Sequence, residues 1–137
     1  IYDMNGNLCV TYAYDAWGRI LSIGGSMKYS LGYANPFRYR SYYYDVENGL
    51  YYLQSRYYDP EVGRFINADT QINDGVLGAN LFAYCGNDPI MYYDPTGLSA
   101  TLVIGGVALT VGQVIVIATL LVFSFSYAFN IGGFRTQ

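Results

Sequence analysis

Residues 35–65 read NPFRYRSYYYDVENGLYYLQSRYYDPEVGRF, and residues 80–98 read NLFAYCGNDPIMYYDPTGL. Tyrosines come in runs at Tyr42-Tyr43-Tyr44, Tyr51-Tyr52, Tyr57-Tyr58 and Tyr92-Tyr93. Tyr44-Asp45, Tyr58-Asp59 and Tyr93-Asp94 are each followed within four residues by a glycine, at Gly49, Gly63 and Gly97. An aromatic run favours a pleated strand. An Asp accepts from amides two residues on, and Gly supplies positive φ without steric cost. The pattern is strand, turn, strand, written repeatedly. Tyr42 and Tyr44, then Leu50 and Tyr52, fall on alternate positions either side of Glu47-Asn48-Gly49. Asp59-Pro60-Glu61-Val62-Gly63, Asn87-Asp88-Pro89 and Asp94-Pro95-Thr96-Gly97 read as further tight reversals. Helical spacing is absent here, except for a single turn over 79–84.

Upstream, Asn5-Gly6 is a two-residue hairpin signal followed by alternating Leu8, Val10, Tyr12 and Tyr14. Asp15-Ala16-Trp17-Gly18-Arg19 makes a second turn, with a strand at 20–23 beyond it. The units YDMNG and YDAWG stand twelve residues apart, an internal repeat of hairpin size. Residues 27–36 form a linker closed by Asn35-Pro36.

The chain has 137 residues, enough for one domain with a core. Net charge is −3 and 12% of residues are charged, which leaves no basic surface for nucleic acid. Without histidine, Ser-His and Cys-His nucleophile pairs and most zinc sites are excluded, and no metal or cofactor site is expected. Cys9 and Cys85 are far apart and read as independent thiols packed as small hydrophobes, although an oxidising compartment could pair them. The chain opens on Ile1 in mid-pattern, with no basic region or apolar core of a signal peptide, which reads as part of something longer.

YDMNGN and YDAWGR resemble the YD repeats of rearrangement-hotspot (RHS) proteins. From Asn35 the likeness is closer. Asn35-Pro36-Phe37-Arg38-Tyr39, Tyr43-Tyr44-Asp45, Asn48-Gly49-Leu50-Tyr51-Tyr52-Leu53, Arg56-Tyr57-Tyr58-Asp59-Pro60 and Gly63-Arg64-Phe65 are similar to the RHS repeat-associated core domain. Asn80 to Leu98 resembles its closing element, with Phe82 in place of one tyrosine. The resemblance implies a mainly β fold, successive antiparallel hairpins at the end of a hollow β-shell. It divides the chain into YD hairpins and linker (1–34), core domain (35–98) and hydrophobic tail (99–137).

The resemblance also implies a candidate chemistry. Many RHS cores resemble a self-cleaving aspartyl protease built on two Asp-Pro-x-Gly elements, with the cut after the Leu of the second. Asp94-Pro95-Thr96-Gly97-Leu98 is intact, placing the cut between Leu98 and Ser99. The first element falls at Asp69, where Thr70-Gln71-Ile72 supply neither proline nor glycine. Two carboxylates about 3 Å apart can share a proton and divide acid and base roles. The alternative is that Asp69 and Asp94 cap turns. Arg38, Arg40, Arg56 and Arg64 stand among tyrosines; Arg38 and Arg56 could present guanidinium forks to a carbohydrate, or else stack on rings and pair with acids inside the sheet.

No charged residue lies between Asp94 and Arg135. Such a run is long enough to cross a hydrocarbon core of about 30 Å as a helix, placed over 102–129 with regular helix from Val107. Tyr127 and Phe129 suit the far interface, and Arg135 beyond them orients the C-terminus to the cytoplasm. A buried hairpin, or a helix sequestered in the shell, are the competing expectations for the β-branched tail.

Three functions follow as expectations. One is a structural segment that closes a shell and delivers a C-terminal effector, as in polymorphic toxins, with the tail entering membranes. The second is intramolecular proteolysis through Asp69 and Asp94. The third is a membrane-anchored carbohydrate-binding module at the cell surface. The partners implied are the rest of an RHS shell or parent chain, a membrane, and an immunity protein or glycan; the location implied is a membrane, the cell surface or the secreted space of a bacterial system.

Overall fold

The computed structural model describes residues 1–70, 80–104 and 107–132, with side chains in the last helix described for 113–124. Strands β1 (Thr11–Tyr14) and β2 (Ile20–Gly24) pair antiparallel, with a register shift at Ala13/Tyr14. A meander follows: β3 (Tyr43–Asp45), β4 (Leu50–Tyr52), β5 (Tyr57–Asp59) and β6 (Arg64–Phe65), in that spatial order. Its register sets Tyr44, Tyr51, Tyr58 and Phe65 in one cross-strand row and Tyr43, Tyr52 and Tyr57 in another. Successive strand residues face opposite sides, so the two rows lie on opposite faces. Tyr51, Tyr58 and Phe65 are at most 3% exposed, whereas Tyr43, Tyr52 and Tyr57 are 40–48% exposed.

The turn between β3 and β4 pairs Asp45 with Leu50 and sets Tyr51 opposite Tyr44. The core residue of β4 is therefore Tyr51, while Tyr52 is exposed and Leu50 half-buried. The alternation expected from the sequence holds, but its parity across the turn is shifted by one residue. A one-residue shift moves every side chain to the other face.

Tyr39, Tyr42, Tyr51, Leu53, Tyr58, Phe65, Tyr84 and Cys85 form the buried cluster. Its rings meet mostly edge-on or tilted, as ring quadrupoles prefer: Tyr58–Tyr84 centroids are 4.0 Å apart, Tyr44–Tyr51 4.9 Å, and Tyr58–Phe65 5.9 Å. A tyrosine core must also satisfy its hydroxyls. Three of them do so on a single YD turn: Tyr39 donates to the Ala16 carbonyl at 2.9 Å, Tyr58 to Trp17 at 2.6 Å and Tyr51 to Gly18 at 2.9 Å. The same turn lays Trp17 over Gly63, where a Cβ would stand 2.9 Å from the indole ring. The hairpin β1–β2 is thus bolted to the core sheet by hydrogen bonds from the sheet's own interior.

The tail departs from expectation. Thr101–Ile104 (β7) and Val107–Thr110 (β8) pair antiparallel, so the first part of the expected 102–129 helix is a hairpin. β-Branched Thr101, Val103, Ile104, Val107 and Thr110 suit extended backbone and lose rotamer freedom in a helix. Helix α1 (Val111–Gly132) begins at Val111 rather than Val107. Thr110 and Gln113 cap it reciprocally, Thr110 N–H to Gln113 Oε1 at 2.9 Å and Gln113 N–H to Thr110 Oγ1 at 3.4 Å. Among the described residues no helix is long and apolar enough to cross a membrane. The side chains of Tyr127 and Phe129, the whole of Arg135, and most of the 70–72 departure lie outside the described residues.

Candidate functional site

Asp94 opens a tight turn over residues 94–99. Its Oδ1 accepts from the amides of Thr96 (3.2 Å), Gly97 (2.8 Å), Leu98 (3.2 Å) and Ser99 (3.3 Å). Asp-Pro sets the entry and Gly97 at φ +74 closes the loop inward, so four successive amides converge on one oxygen. The residue is 2% exposed. Burying a carboxylate is costly unless charge and hydrogen bonds compensate, and Arg56 supplies the charge.

Arg56 precedes β5 and shares the inward face with Tyr58, which buries it to 6% exposure. Its Nη2 stands 2.9 Å from Asp69 Oδ2 and 3.7 Å from Asp94 Oδ2. Nη1 donates to the Leu81 carbonyl at 3.0 Å, Nε donates to the Gly97 carbonyl, and the guanidinium lies 3.6 Å over the Phe65 ring. Burial pulls the Arg56 pKa below its usual range, while the charges of Asp69 and Asp94 push it back up. One guanidinium thus ties the ends of the closing element to the meander.

The loop between β4 and β5 completes the seat. Ser55 gives both its hydroxyl (2.7 Å) and its N–H (3.3 Å) to the Thr96 carbonyl, and Gln54 Nε2 reaches the Pro95 carbonyl at 3.5 Å. A Cβ on Gly97 would lie 2.7 Å from Ser55 Oγ and 2.8 Å from the Leu53 carbonyl, so the backbones touch there. From the core side, Tyr42 donates to the Asp94 carbonyl at 2.8 Å and meets Tyr84 Oη at 3.2 Å. Burial drives the Tyr42 phenol up to about 12, and the Tyr84 phenol and Cys85 thiol upward as well, Cys85 to about 12. Beyond the turn, Tyr93 and Thr101 exchange backbone hydrogen bonds at 2.9 and 2.7 Å, so the chain after Ser99 stays paired to the core.

Asp69 and Asp94 therefore converge on one cation, Arg56 Nη2. Leu98 and Ser99 are half-buried at the rim, with their amides on Asp94. Arg38 is 9% exposed, donating to the carbonyls of Asn35 and Tyr33 (both 3.3 Å) and stacked 4.5 Å over Tyr44. Arg38 and Arg56 are thus both turned into the fold. Arg40 clamps the closing element from the other side, donating to Tyr92 O at 2.6 Å and to Pro89 O. Cys9 and Cys85 are free and buried. No group of His, Cys, Asp and Glu among the described residues could hold a metal ion. Arg56 as the shared counter-ion, Ser55 and the Tyr42–Tyr84 pair were not singled out from sequence. Arg56 had a signal: it alternates with Tyr58 and so belongs to the inner face.

No family model matches the chain. It is 41% identical over 106 residues to the tRNA nuclease WapA of Bacillus subtilis (strain 168), a match covering 76% of this chain and 4% of that protein. Over its full 137 residues it is 31% identical to the double-stranded DNA deaminase toxin A of Burkholderia cenocepacia (strain H111), covering 9% of that protein. Its fold is similar to part of the TcdB2-TccC3-Cdc42 crystal structure, with a TM-score of 0.62 and 30% identity over 71% of this chain and 4% of that one. The chain spans less than a tenth of the length of each of these proteins. With the YD turns docked on the tyrosine meander and the Asp-Pro-Thr-Gly-Leu element closing it, the chain belongs to the RHS repeat-associated core family, shared with RHS-type toxins.

Proposed function

We propose that this segment closes the β-shell of an RHS-type toxin and fixes the boundary beyond which a C-terminal effector follows. The observation that carries it is the seating of the 94–98 turn: buried, held by Arg56 and Ser55, and followed by a strand paired back to Tyr93. The relatives' names describe toxins and nucleic-acid-modifying enzymes of which this chain matches 4% and 9%, which supports a part for it other than that chemistry. This chain's part is mechanical: the turn is a fixed point from which the following segment hangs. The test is limited proteolysis of the parent chain. Residues after Ser99 should resist protease in the intact protein and become sensitive when Arg56 is replaced by Met; sensitivity in the intact protein would overturn the reading.

A second reading, cleavage between Leu98 and Ser99, is favoured by one specific contact. Asp94 Oδ1 lies 3.2 Å from the Leu98 nitrogen and 3.3 Å from the Ser99 nitrogen, on the peptide in question. Asp69 reaches the same guanidinium. For hydrolysis, one carboxylate would take a proton from water and the other would deliver one to the Ser99 amine. Mass analysis of the expressed parent chain decides it: fragments ending at Leu98 and starting at Ser99, both lost in Asp94→Asn and Asp69→Asn. A parent chain that stays whole removes this reading and leaves the first intact.

A further inference from the structure

The outer face of the meander carries a row of tyrosines that neither the core nor the boundary turn uses. Tyr52 and Tyr57 are 42% and 40% exposed, and their ring centroids are 5.1 Å apart at an interplanar angle of 41°. Leu53 N–H bonds the Arg56 carbonyl at 3.0 Å, which makes the adjacent pair Tyr52↔Tyr57 a non-hydrogen-bonded one. Side chains stand closest in such pairs. Among the described ring pairs, this is the one tyrosine–tyrosine contact in which both rings are open to solvent; the others include a buried or half-buried ring.

We propose that Tyr52 and Tyr57 are an oxidative cross-linking site, joined as dityrosine by a peroxide-charged haem peroxidase or an equivalent one-electron oxidant. Each phenol gives up one electron and one proton to the oxidant. The two phenoxyl radicals couple at the ring carbons ortho to oxygen, and the hydrogens on those carbons shift to restore both phenols. One carbon–carbon bond forms, two hydrogens leave the protein, and one hydrogen peroxide is reduced to two waters. The bond closes the loop 53–56, the same loop that carries Ser55 and Arg56 to the boundary turn. Oxidation therefore staples the seat of the 94–98 turn from the outside. The inference is independent of whether the Leu98–Ser99 bond is cut.

Trypsin separates the two rings by cutting after Arg40, Arg56 and Arg64. The full chain is treated with horseradish peroxidase and hydrogen peroxide, and the monomer is digested and read by mass. The expected product is peptide 41–56 joined to 57–64, lighter by two hydrogens than their sum and showing dityrosine fluorescence. Tyr52→Phe and Tyr57→Phe should each reduce it to background, while Tyr43→Phe, the neighbour in the same row, leaves it in place. Unchanged Trp17 emission shows that the exposed substitutions leave the fold intact. Persistence of the joined peptides in either variant, loss in Tyr43→Phe, or formation only of covalent oligomers would overturn the proposal.

Discussion

Replacing Arg56 by Met tests whether one buried guanidinium organises the boundary turn. Met keeps most of the length and apolar stem, so contact with Phe65 is largely retained while the charge and donors vanish. The variant strands Asp94, 2% exposed, takes the guanidinium from Asp69, whose side chain is 11% exposed, and removes a donor from the carbonyls of Leu81 and Gly97. Removing one partner of a buried ion pair costs about 3–5 kcal/mol, and stranded carbonyls about 1–3 kcal/mol each where water cannot reach them. These overlap, so a loss of about 4–6 kcal/mol is expected, a large part of the ~5–15 kcal/mol that holds an ordinary domain together. Urea unfolding followed by Trp17 fluorescence reads it directly. The discriminating step is a double-mutant cycle with Asp69→Asn and with Asp94→Asn. Removing the stranded charge should return about 1–3 kcal/mol. Asp69 should couple more strongly, because its contact with Arg56 is 2.9 Å against 3.7 Å for Asp94. Additivity to within about 0.5 kcal/mol in both cycles would refute the claim that Arg56 acts as a counter-ion.

The bolts between the YD turn and the core can be removed singly: Tyr39→Phe, Tyr51→Phe and Tyr58→Phe should each cost about 1–3 kcal/mol in urea unfolding, since each strands a carbonyl of Ala16, Gly18 or Trp17 while keeping the ring. Gly97→Ala should destabilise by more than the ~1–2 kcal/mol of a left-handed backbone alone, because its Cβ would meet the Leu53 carbonyl at 2.8 Å; Ser55→Ala in the same background should relieve only the hydroxyl half of the clash. Stability should fall at high pH. The Tyr42 phenol, raised from 10.0 to about 12 by burial, keeps its proton in the fold, so its contribution is whole below pH 10 and is lost as pH rises to about 12. At about 1.4 kcal/mol per unit this amounts to about 3 kcal/mol, and Cys85, raised from 9.0 to about 12, begins the decline one unit earlier. Urea midpoints measured from pH 7 to 11 check it, and a midpoint that does not move refutes it.

The meander was legible because its information is local. Tyr-Asp before a turn glycine and alternation within each strand are properties of neighbouring residues, and β3 to β6 follow them. The parity error at Leu50–Tyr52 arose because alternation specifies faces within a strand but not across a turn of uncertain length; only the pairing of Asp45 with Leu50 decides it. The start of α1 was also legible, as Thr110-x-x-Gln113 before an apolar run, and was overshadowed by the absence of charge, which says how apolar a stretch is and not whether it is one helix. For Arg56 the sequence leaves sugar binding and pairing with acids inside the sheet both open, because it shows which residues Arg56 neighbours and not where 69, 81, 94 and 97 come to lie. Those positions meet it only through the closure of the fold.

The boundary turn is best understood as a common turn placed in an uncommon environment. Asp3, Asp15, Asp45, Asp59, Asp88 and Asp94 all do the same local work, each accepting from the amide two residues on. Asp3 is exposed, and Asp15, Asp45, Asp59 and Asp88 are half-buried, so water shares the charge at those turns. Asp94 alone of these six is buried. Its amides satisfy one oxygen, but a carboxylate removed from water also needs a neutralising charge, which no residue of its own turn carries. That need is met by Arg56 from the meander, and once there the same guanidinium gathers Asp69, Leu81 and Gly97. The convergence of two aspartates on Arg56 thus follows from burying a single copy of the repeated turn. Structure and candidate chemistry share one cause, which is why substituting Arg56 should disturb the fold and the boundary together.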